Sequence, residues 1–179
     1  MAINSTIFKV NLKIADMNRH YYQDHSLTIA QHPSETNERM MVRLLAFALH
    51  AHEYLEFAQG MTDEEEADLW QKELSGVIAL WIDVGVPDEK LIRKACGRAK
   101  QVILYCYGGR VVNLWFAQNI DKLQRLKNLT IVNVPQESTH AIAKMAKRNM
   151  HIHCTIQETE VLLGNEDESV TITLEKLFK

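Results

Sequence analysis

The sequence lacks an apolar stretch long enough to cross a membrane. Hydrophobic residues make up 46% of its 179 positions, but no run approaches the roughly 18 consecutive apolar residues that a transmembrane helix needs. Residues 1–6 also lack the basic segment followed by an apolar segment that marks a secretory signal. We therefore expect a cytoplasmic protein with no membrane partner.

Cysteine, proline and glycine are scarce as well. The three cysteines, Cys96, Cys106 and Cys154, match neither a zinc motif nor an even-numbered disulfide framework. Free thiols in a reducing compartment are therefore expected. The seven glycines and three prolines form no long linker, and no repeat is present. This length without a linker predicts a single domain over residues 1–179.

Acidic residues are rare in one part of the chain. The net charge is −3, yet segment 89–148 contains twelve lysines and arginines and only three acids. A basic half of this kind could meet the phosphates of a nucleic acid. Alternatively, these charges are the ordinary solvated faces of helices. The sequence leaves both interpretations open and identifies no protein partner or oligomeric state.

The spacing of apolar residues predicts a mixed α/β fold. Alternating residues predict a hairpin of strands at 5–14 and 21–29. A helix at 34–53, with Ser34 as N-cap, is apolar on most sides and should be central and buried. Further strands are predicted at 54–58, 69–73, 77–84, 102–107, 129–134, 151–163 and 169–178, and helices at 88–100, 110–124 and 135–149. This order favours a mixed, partly parallel sheet with the central helix and other helices packed on it.

Two aspartates lie at the ends of neighbouring predicted strands. Asp68 precedes the strand at 69–73, and Asp83 is near the end of the strand at 77–84, where Trp81 shares its side because strand side chains alternate. If the two strands are adjacent, both carboxylates could approach each other. Carboxylate oxygens are the ligands that Mg²⁺ prefers, so the pair is a candidate metal site.

Two further groups could complete such a site. Glu38 or Glu35, on the long helix, could supply a third carboxylate, although Glu35 could instead pair with Arg39 on an exposed stripe that continues to Arg43. Lys90 or Lys94, four residues apart on one helix face, could stabilise negative charge on a phosphate. The alternative for both lysines is a solvated helix surface.

Four segments, 32–45, 68–70, 80–89 and 94–96, resemble the YaeQ family of bacterial proteins, and the resemblance covers essentially the whole chain. That family is similar to PD-(D/E)XK nucleases, so the resemblance implies a restriction-endonuclease-like variant fold. It also implies that Asp68 and Asp83 are the two motif acids. The helix acid would be Glu38, with Glu35 a weaker choice, and Mg²⁺ the cofactor.

The chain departs from the nuclease motif at two positions and from the pattern of YaeQ relatives at a third. Ala67 stands where the motif has proline, Gly85 stands where it has the catalytic lysine, and Ala79 stands where YaeQ relatives often have an acid. The resemblance therefore leaves two hypotheses. The first is a Mg²⁺-dependent nuclease with Asp68, Asp83 and Glu38 as metal ligands and Lys90 or Lys94 as the ammonium. The second is a non-catalytic binding or regulatory module that acts through its basic face.

Overall fold

The computed structural model describes residues 4–179 as a mixed α/β protein with two mixed sheets and four helices. In chain order the elements are β1 (Thr6–Asp16), β2 (Tyr21–Gln31), α1 (Asn37–His50), β3 (Leu55–Phe57), β4 (Leu69–Lys72), β5 (Ile78–Val84), α2 (Glu89–Arg98), β6 (Ala99–Cys106), α3 (Arg110–Leu123), β7 (Leu129–Asn133), α4 (Gln136–Ala143), β8 (Asn149–Gln157), β9 (Glu160–Gly164), β10 (Ser169–Thr173) and β11 (Glu175–Phe178). None of these helices is long and apolar enough to span a membrane. The predicted lack of a signal segment rests partly on residues 1–3, which lie outside the described residues.

The chain forms two compact units. The first contains the residues up to Leu49 together with Glu137–Leu174, and the second contains His50–Gln136 together with Glu175–Lys179. Two compact units can belong to one folding domain. The single domain over residues 1–179 therefore stays a prediction.

The first unit is built on a five-stranded sheet of order β10-β9-β8-β1-β2. β1 and β8 are parallel, and the other pairs are antiparallel. In β1 the side chains from Phe8 to Ile14 alternate between buried apolar and exposed polar, so one face of the strand joins the core. In α1 every residue from 40 to 48 is buried, which confirms the predicted central helix.

The start of α1 differs from the prediction. Ser34 is not the N-cap, because its backbone N–H donates to His32 Nδ1 in a turn. Thr36 takes that role, and its Oγ1 accepts a hydrogen bond from the backbone N–H of Arg39 at 3.1 Å. The side chain of a cap must reach an N–H of the first turn, and here the preceding turn leaves Thr36 in that position.

The second unit is built on a six-stranded sheet of order β11-β7-β6-β5-β4-β3. The central strands β5, β6 and β7 are parallel, as the alternation of strands and helices predicted, and the outer pairs are antiparallel. Its apolar core joins Trp81 and Leu104 of the sheet with Ile92 of α2 and Val112 and Leu123 of α3.

Several predicted boundaries are wrong. α2 ends at Arg98 and leads directly into β6, α4 ends at Ala143, and the two predicted tail strands are four. A turn at Glu158, which has φ +56°, separates β8 from β9. Asn18 holds this turn, because its side chain accepts from Glu158 N–H at 2.8 Å and donates to Glu158 C=O at 2.9 Å.

Candidate functional site

Asp68 and Asp83 contact each other in the second unit. β4 pairs with β5 in antiparallel fashion, with Leu69 opposite Ile82, so the two strands that carry the aspartates are adjacent. The backbone N–H of Asp68 donates to Ile82 C=O and to Asp83 Oδ1, each at 3.1 Å. The strand register therefore places the two acids side by side at one end of the sheet.

Further N–H groups hold both carboxylates. Asp68 is only 3% exposed, and its Oδ2 accepts from the backbone N–H of Val84 at 2.9 Å. The indole N–H of Trp81 donates to Asp83 Oδ2 at 2.9 Å, so the prediction that Trp81 and Asp83 share one side is confirmed. These donors fix the orientation of each carboxylate and stabilise its negative charge.

A close approach of the backbone supports Asp68 from the other side. Ala58 N–H donates to Asp68 C=O at 3.0 Å, and Gly60 N–H donates to Ala67 C=O at 2.9 Å. A Cβ at Gly60 would lie 2.7 Å from Asp68 N. Only glycine fits here without moving the segment that carries Asp68.

The two candidate lysines differ in their contacts. Lys94 Nζ contacts the carboxylate of Glu65, which agrees with the surface alternative. Lys90 is exposed, and its ammonium has no partner within residues 4–179. Its backbone N–H donates to Asp88 Oδ1 at 2.9 Å, so Asp88 is the N-cap of α2. Lys90 is thus the better candidate for binding a phosphate.

Much of the positive charge in the second unit is paired with acids. Glu89 pairs with Arg93 at 2.7 Å, and Lys100 pairs with Glu73 at 2.6 Å. The Glu65 carboxylate accepts from Lys94, while Arg98 donates to the backbone C=O of Glu65 at 2.5 Å and lies 3.9 Å from its carboxylate. Glu65 and Glu73 lie outside segment 89–148, so the count of charges within that segment leaves them out. The surface is therefore less positive than that count indicates. A nucleic-acid partner stays a prediction.

Glu35 and Glu38, in the first unit, have different surroundings. Glu35 is 7% exposed and pairs with Arg39 at 2.7 Å and with Arg43 at 2.5 Å. The predicted Arg39 pair is confirmed, but the exposed stripe is wrong, because Arg43 is only 5% exposed. Glu38 Oε2 accepts from Thr139 Oγ1 at 2.8 Å and lies 3.4 Å from His140 Nε2. Its role as a metal ligand stays a prediction.

Gly85, where the sequence resemblance implied a lysine, has a backbone that favours glycine. Gly85 has φ +99°, and its N–H donates to Tyr105 C=O at 2.9 Å. Any side chain at this φ strains the backbone. Glycine at this position therefore follows from the local backbone geometry.

We expect Gly85→Ala to lower the free energy of unfolding by about 1–2 kcal/mol, because a non-glycine residue at positive φ is strained. Nothing lies within 4 Å of the added Cβ, so the loss would come from the backbone alone. Gly85→Lys should lose a similar amount. Urea unfolding measures both losses, and a lysine variant as stable as the wild type would contradict this account.

The first unit has a groove of about 600 Å³ on the exposed face of its sheet. Lys13, Asp24, His153 and Glu166 line it, and none of these side chains has a hydrogen bond or ion pair within the described residues. Lys13 lies opposite Asp24 on β2 and opposite His153 on β8. These residues are far apart in the sequence and only the strand register brings them together, so the groove was not predictable from the sequence.

The donor set at Asp68 and Asp83 suits a hard divalent cation. Within residues 4–179, no cluster of three or more His, Cys, Asp and Glu side chains is arranged to hold a metal ion. Mg²⁺ is often bound by only one or two carboxylates and keeps several water ligands. The role of Asp68 and Asp83 as metal ligands stays a prediction.

Comparisons with known proteins identify the family. The family model described as YaeQ protein matches residues 1–174. "Uncharacterized protein YaeQ" from Escherichia coli (strain K12) is 37% identical over 174 residues, which cover 97% of this chain and 96% of that protein. The protein of the same name from Salmonella typhi has the same identity and coverage.

Two solved structures agree with the fold. The YaeQ protein from Xanthomonas axonopodis pv. citri is 41% identical, with a TM-score of 0.94 over 98% of this chain and 99% of that chain. The YaeQ protein from Pseudomonas syringae is 35% identical, with a TM-score of 0.94 over 98% of this chain and 97% of that chain. The resemblance noted in the sequence is confirmed, and the chain belongs to the YaeQ family.

Proposed function

We propose that Asp68 and Asp83 bind Mg²⁺ or Mn²⁺ and that the protein acts on nucleic acid by metal-dependent hydrolysis of a phosphodiester. The observation that carries this proposal is the contact between the two acids at neighbouring strand ends. Metal ligands for phosphoryl chemistry are carboxylates held in fixed positions. The N–H groups of Val84 and Trp81 supply that fixation.

The fold proposed to go with this activity is a divergent PD-(D/E)XK fold. Parallel strands β5 and β6 joined by α2, with β4 antiparallel to β5, support this placement. Asp68 and Asp83 occupy the ends of β4 and β5, where the motif acids would lie. Gly85 in place of the motif lysine argues for weak activity.

Each residue of the proposed site has a distinct task. Asp68 and Asp83 would hold the cation, which would activate a water and bind a phosphate oxygen. Trp81 would orient Asp83 through its indole N–H. Lys90 is our choice for the ammonium near the phosphate, since the contact with Glu65 occupies Lys94.

We expect Mg²⁺ and Mn²⁺ to raise the melting temperature of the wild type, because a ligand that binds only the folded state stabilises it by mass action. Asp83→Asn should remove this shift while the protein stays folded, since asparagine keeps the shape of the side chain. Differential scanning fluorimetry with and without metal measures the shift. Cleavage of labelled single- and double-stranded DNA and RNA, in the same metal series, tests hydrolysis.

Asp24→Asn is the matched control, because Asp24 is exposed and belongs to β2, which is in a different sheet from β4 and β5. It should keep the full metal shift. If Asp83→Asn responds to metal as the wild type does, the proposed site is wrong. If the wild type shows the shift but cuts no substrate, the cation site stands and the hydrolytic activity does not.

The groove of the first unit favours a second candidate function, a non-catalytic binding module. Its lining carries both signs of charge in Lys13, Asp24 and Glu166, which suits a ligand with both positive and negative groups. Under this alternative the wild type would show neither a metal shift nor cleavage. Lys13→Ala would then weaken ligand binding and leave the fold intact.

A further inference from the structure

The four edges of the two sheets differ in length and regularity. β3, β10 and β11 have three, five and four residues, and the pairing of β11 is interrupted by a register shift. Short or irregular edge strands are common protection against unwanted pairing. β2 has eleven residues, and its register with β1 is continuous from Gln31 to Tyr21.

β2 also lacks the residues that usually protect an edge. It contains no lysine, arginine or proline, and Asp24 is its only acid. Lysine, proline and inward charges are the common means of blocking a further strand. Within the described residues, β2 has β1 as its one strand partner. Its second backbone edge is thus regular and carries little charge as far as Ile29, whereas at Ala30 the backbone C=O already accepts from Arg43 at 3.1 Å.

Side chains near the start of β2 are exposed on both faces. Tyr22, Gln23 and Asp24 are all exposed, although consecutive side chains of a strand point to opposite faces. Tyr22 is 57% exposed, which is unusual for a large aromatic residue and typical of interaction surfaces. This end of the strand is therefore accessible to a partner.

We propose that β2 pairs with β2 of a second copy, in antiparallel fashion, and forms a symmetric dimer with a continuous sheet. A two-fold axis through Ser26 would place Asp24 opposite Thr28. An axis through His25 would place Asp24 opposite Ser26. Neither register puts like charges opposite each other, so the strand is complementary to itself.

The size of this contact predicts a reversible dimer. Strand addition gains main-chain hydrogen bonds, but stable interfaces bury about 1,200–2,000 Å² in total. The area buried by one pair of eleven-residue strands and a flanking tyrosine is at the low end of that range. The dimer should therefore form with rising protein concentration and separate on dilution. This inference is independent of the proposed metal site.

Ser26→Asp tests the proposal. With the axis through Ser26, the new carboxylate would lie opposite the same carboxylate of the second copy. With the axis through His25, it would lie opposite Asp24 of the second copy, so like charges repel in both registers. We expect at least tenfold weaker association, because like charges across an interface are strongly unfavourable. Thr171→Asp is the matched control, since Thr171 is exposed on the short edge strand β10. It should associate like the wild type.

Sedimentation velocity from low-micromolar to near-millimolar protein measures association, with circular dichroism to check folding. A wild type that stays monomeric throughout this range would overturn the proposal, as would a dimer that Ser26→Asp leaves intact.

A cysteine scan gives a second measurement that does not depend on a destabilising charge. Ser26→Cys or His25→Cys should crosslink to itself with a short bifunctional thiol reagent, and Thr171→Cys should not. The native thiols should stay unreactive, because burial raises the pKa of Cys106 and Cys154 to about 12 and that of Cys96 to about 11. Equal crosslinking at positions 26 and 171 would also overturn the proposal.

Discussion

Replacing Glu35 with alanine should lower the free energy of unfolding by about 3–5 kcal/mol, because it leaves a buried arginine without its carboxylate. The side chains of Glu35 and Arg43 are 1% and 6% exposed, and they pair at 2.5 Å. Arg39 pairs with the same carboxylate at 2.7 Å. Urea unfolding of the wild type and the variant gives the difference by linear extrapolation.

A second variant separates the effect of the lost charge on stability from the effect of the lost side-chain volume. Glu35→Gln keeps the size of the side chain but removes its charge, so it should lose most of the same stability. Glu65→Ala breaks a contact with Lys94 in which both side chains are largely exposed, and it should cost at most about 1 kcal/mol. If Glu35→Gln proves as stable as the wild type, the ion pair is not what stabilises this region.

The Glu35 cluster has a structural consequence beyond its energy. Arg43 also donates to Ala30 C=O at 3.1 Å, so the buried pair connects α1 to the end of β2. A variant that loses Glu35 should therefore disturb the edge strand proposed for dimerisation. For this reason the dimer experiments use Ser26, whose side chain contacts Asn11 on the exposed face.

Periodic segments were the most predictable part of the fold. Strand β1 was predicted from the alternation of apolar and polar residues, and helix α1 from an almost wholly apolar sequence. In both segments burial determines the type of many consecutive residues. The parallel order of β5, β6 and β7 followed from alternating strands and helices. These predictions depend on many residues, so one atypical residue does not change them.

The errors lie where one distant contact decides the local structure. The turn at Glu158 depends on Asn18, which is 140 residues away in sequence. Residues 151–163 read as one strand because they contain no glycine or proline. No local pattern indicates that a side chain from the β1–β2 turn holds the backbone at positive φ.

The candidate site was predictable only in part for the same reason. The sequence placed Asp68 and Asp83 near the ends of two predicted strands, and the register shows that these strands are adjacent. The positive φ of Gly85 and the burial of Arg43 were not predictable, because both depend on how the chain closes around them. A sequence shows charges but does not show which of them neutralise each other.

Replacing Gly60 with alanine should lower the free energy of unfolding by about 1–3 kcal/mol, as overpacking does. The added Cβ would lie 2.6 Å from the carbonyl carbon of Ala67 and 2.7 Å from Asp68 N. Both are backbone atoms, which cannot rotate away as a flexible side chain can, so the strand end that carries Asp68 must move. The hydrogen bond from Asp68 N–H to Asp83 Oδ1 at 3.1 Å would lengthen.

Gly97→Ala is the matched control, because it makes the same chemical change with nothing within 4 Å of the new Cβ. Gly97 lies in helix α2, where alanine is favoured over glycine, so this variant should gain about 0.4–1 kcal/mol. The indole N–H resonance of Trp81, which donates to Asp83, should shift in Gly60→Ala and stay in place in Gly97→Ala. The metal-dependent rise in melting temperature should fall in the first variant only. A Gly60→Ala protein with wild-type stability and an unmoved Trp81 resonance would mean that residues 58–60 do not position Asp68.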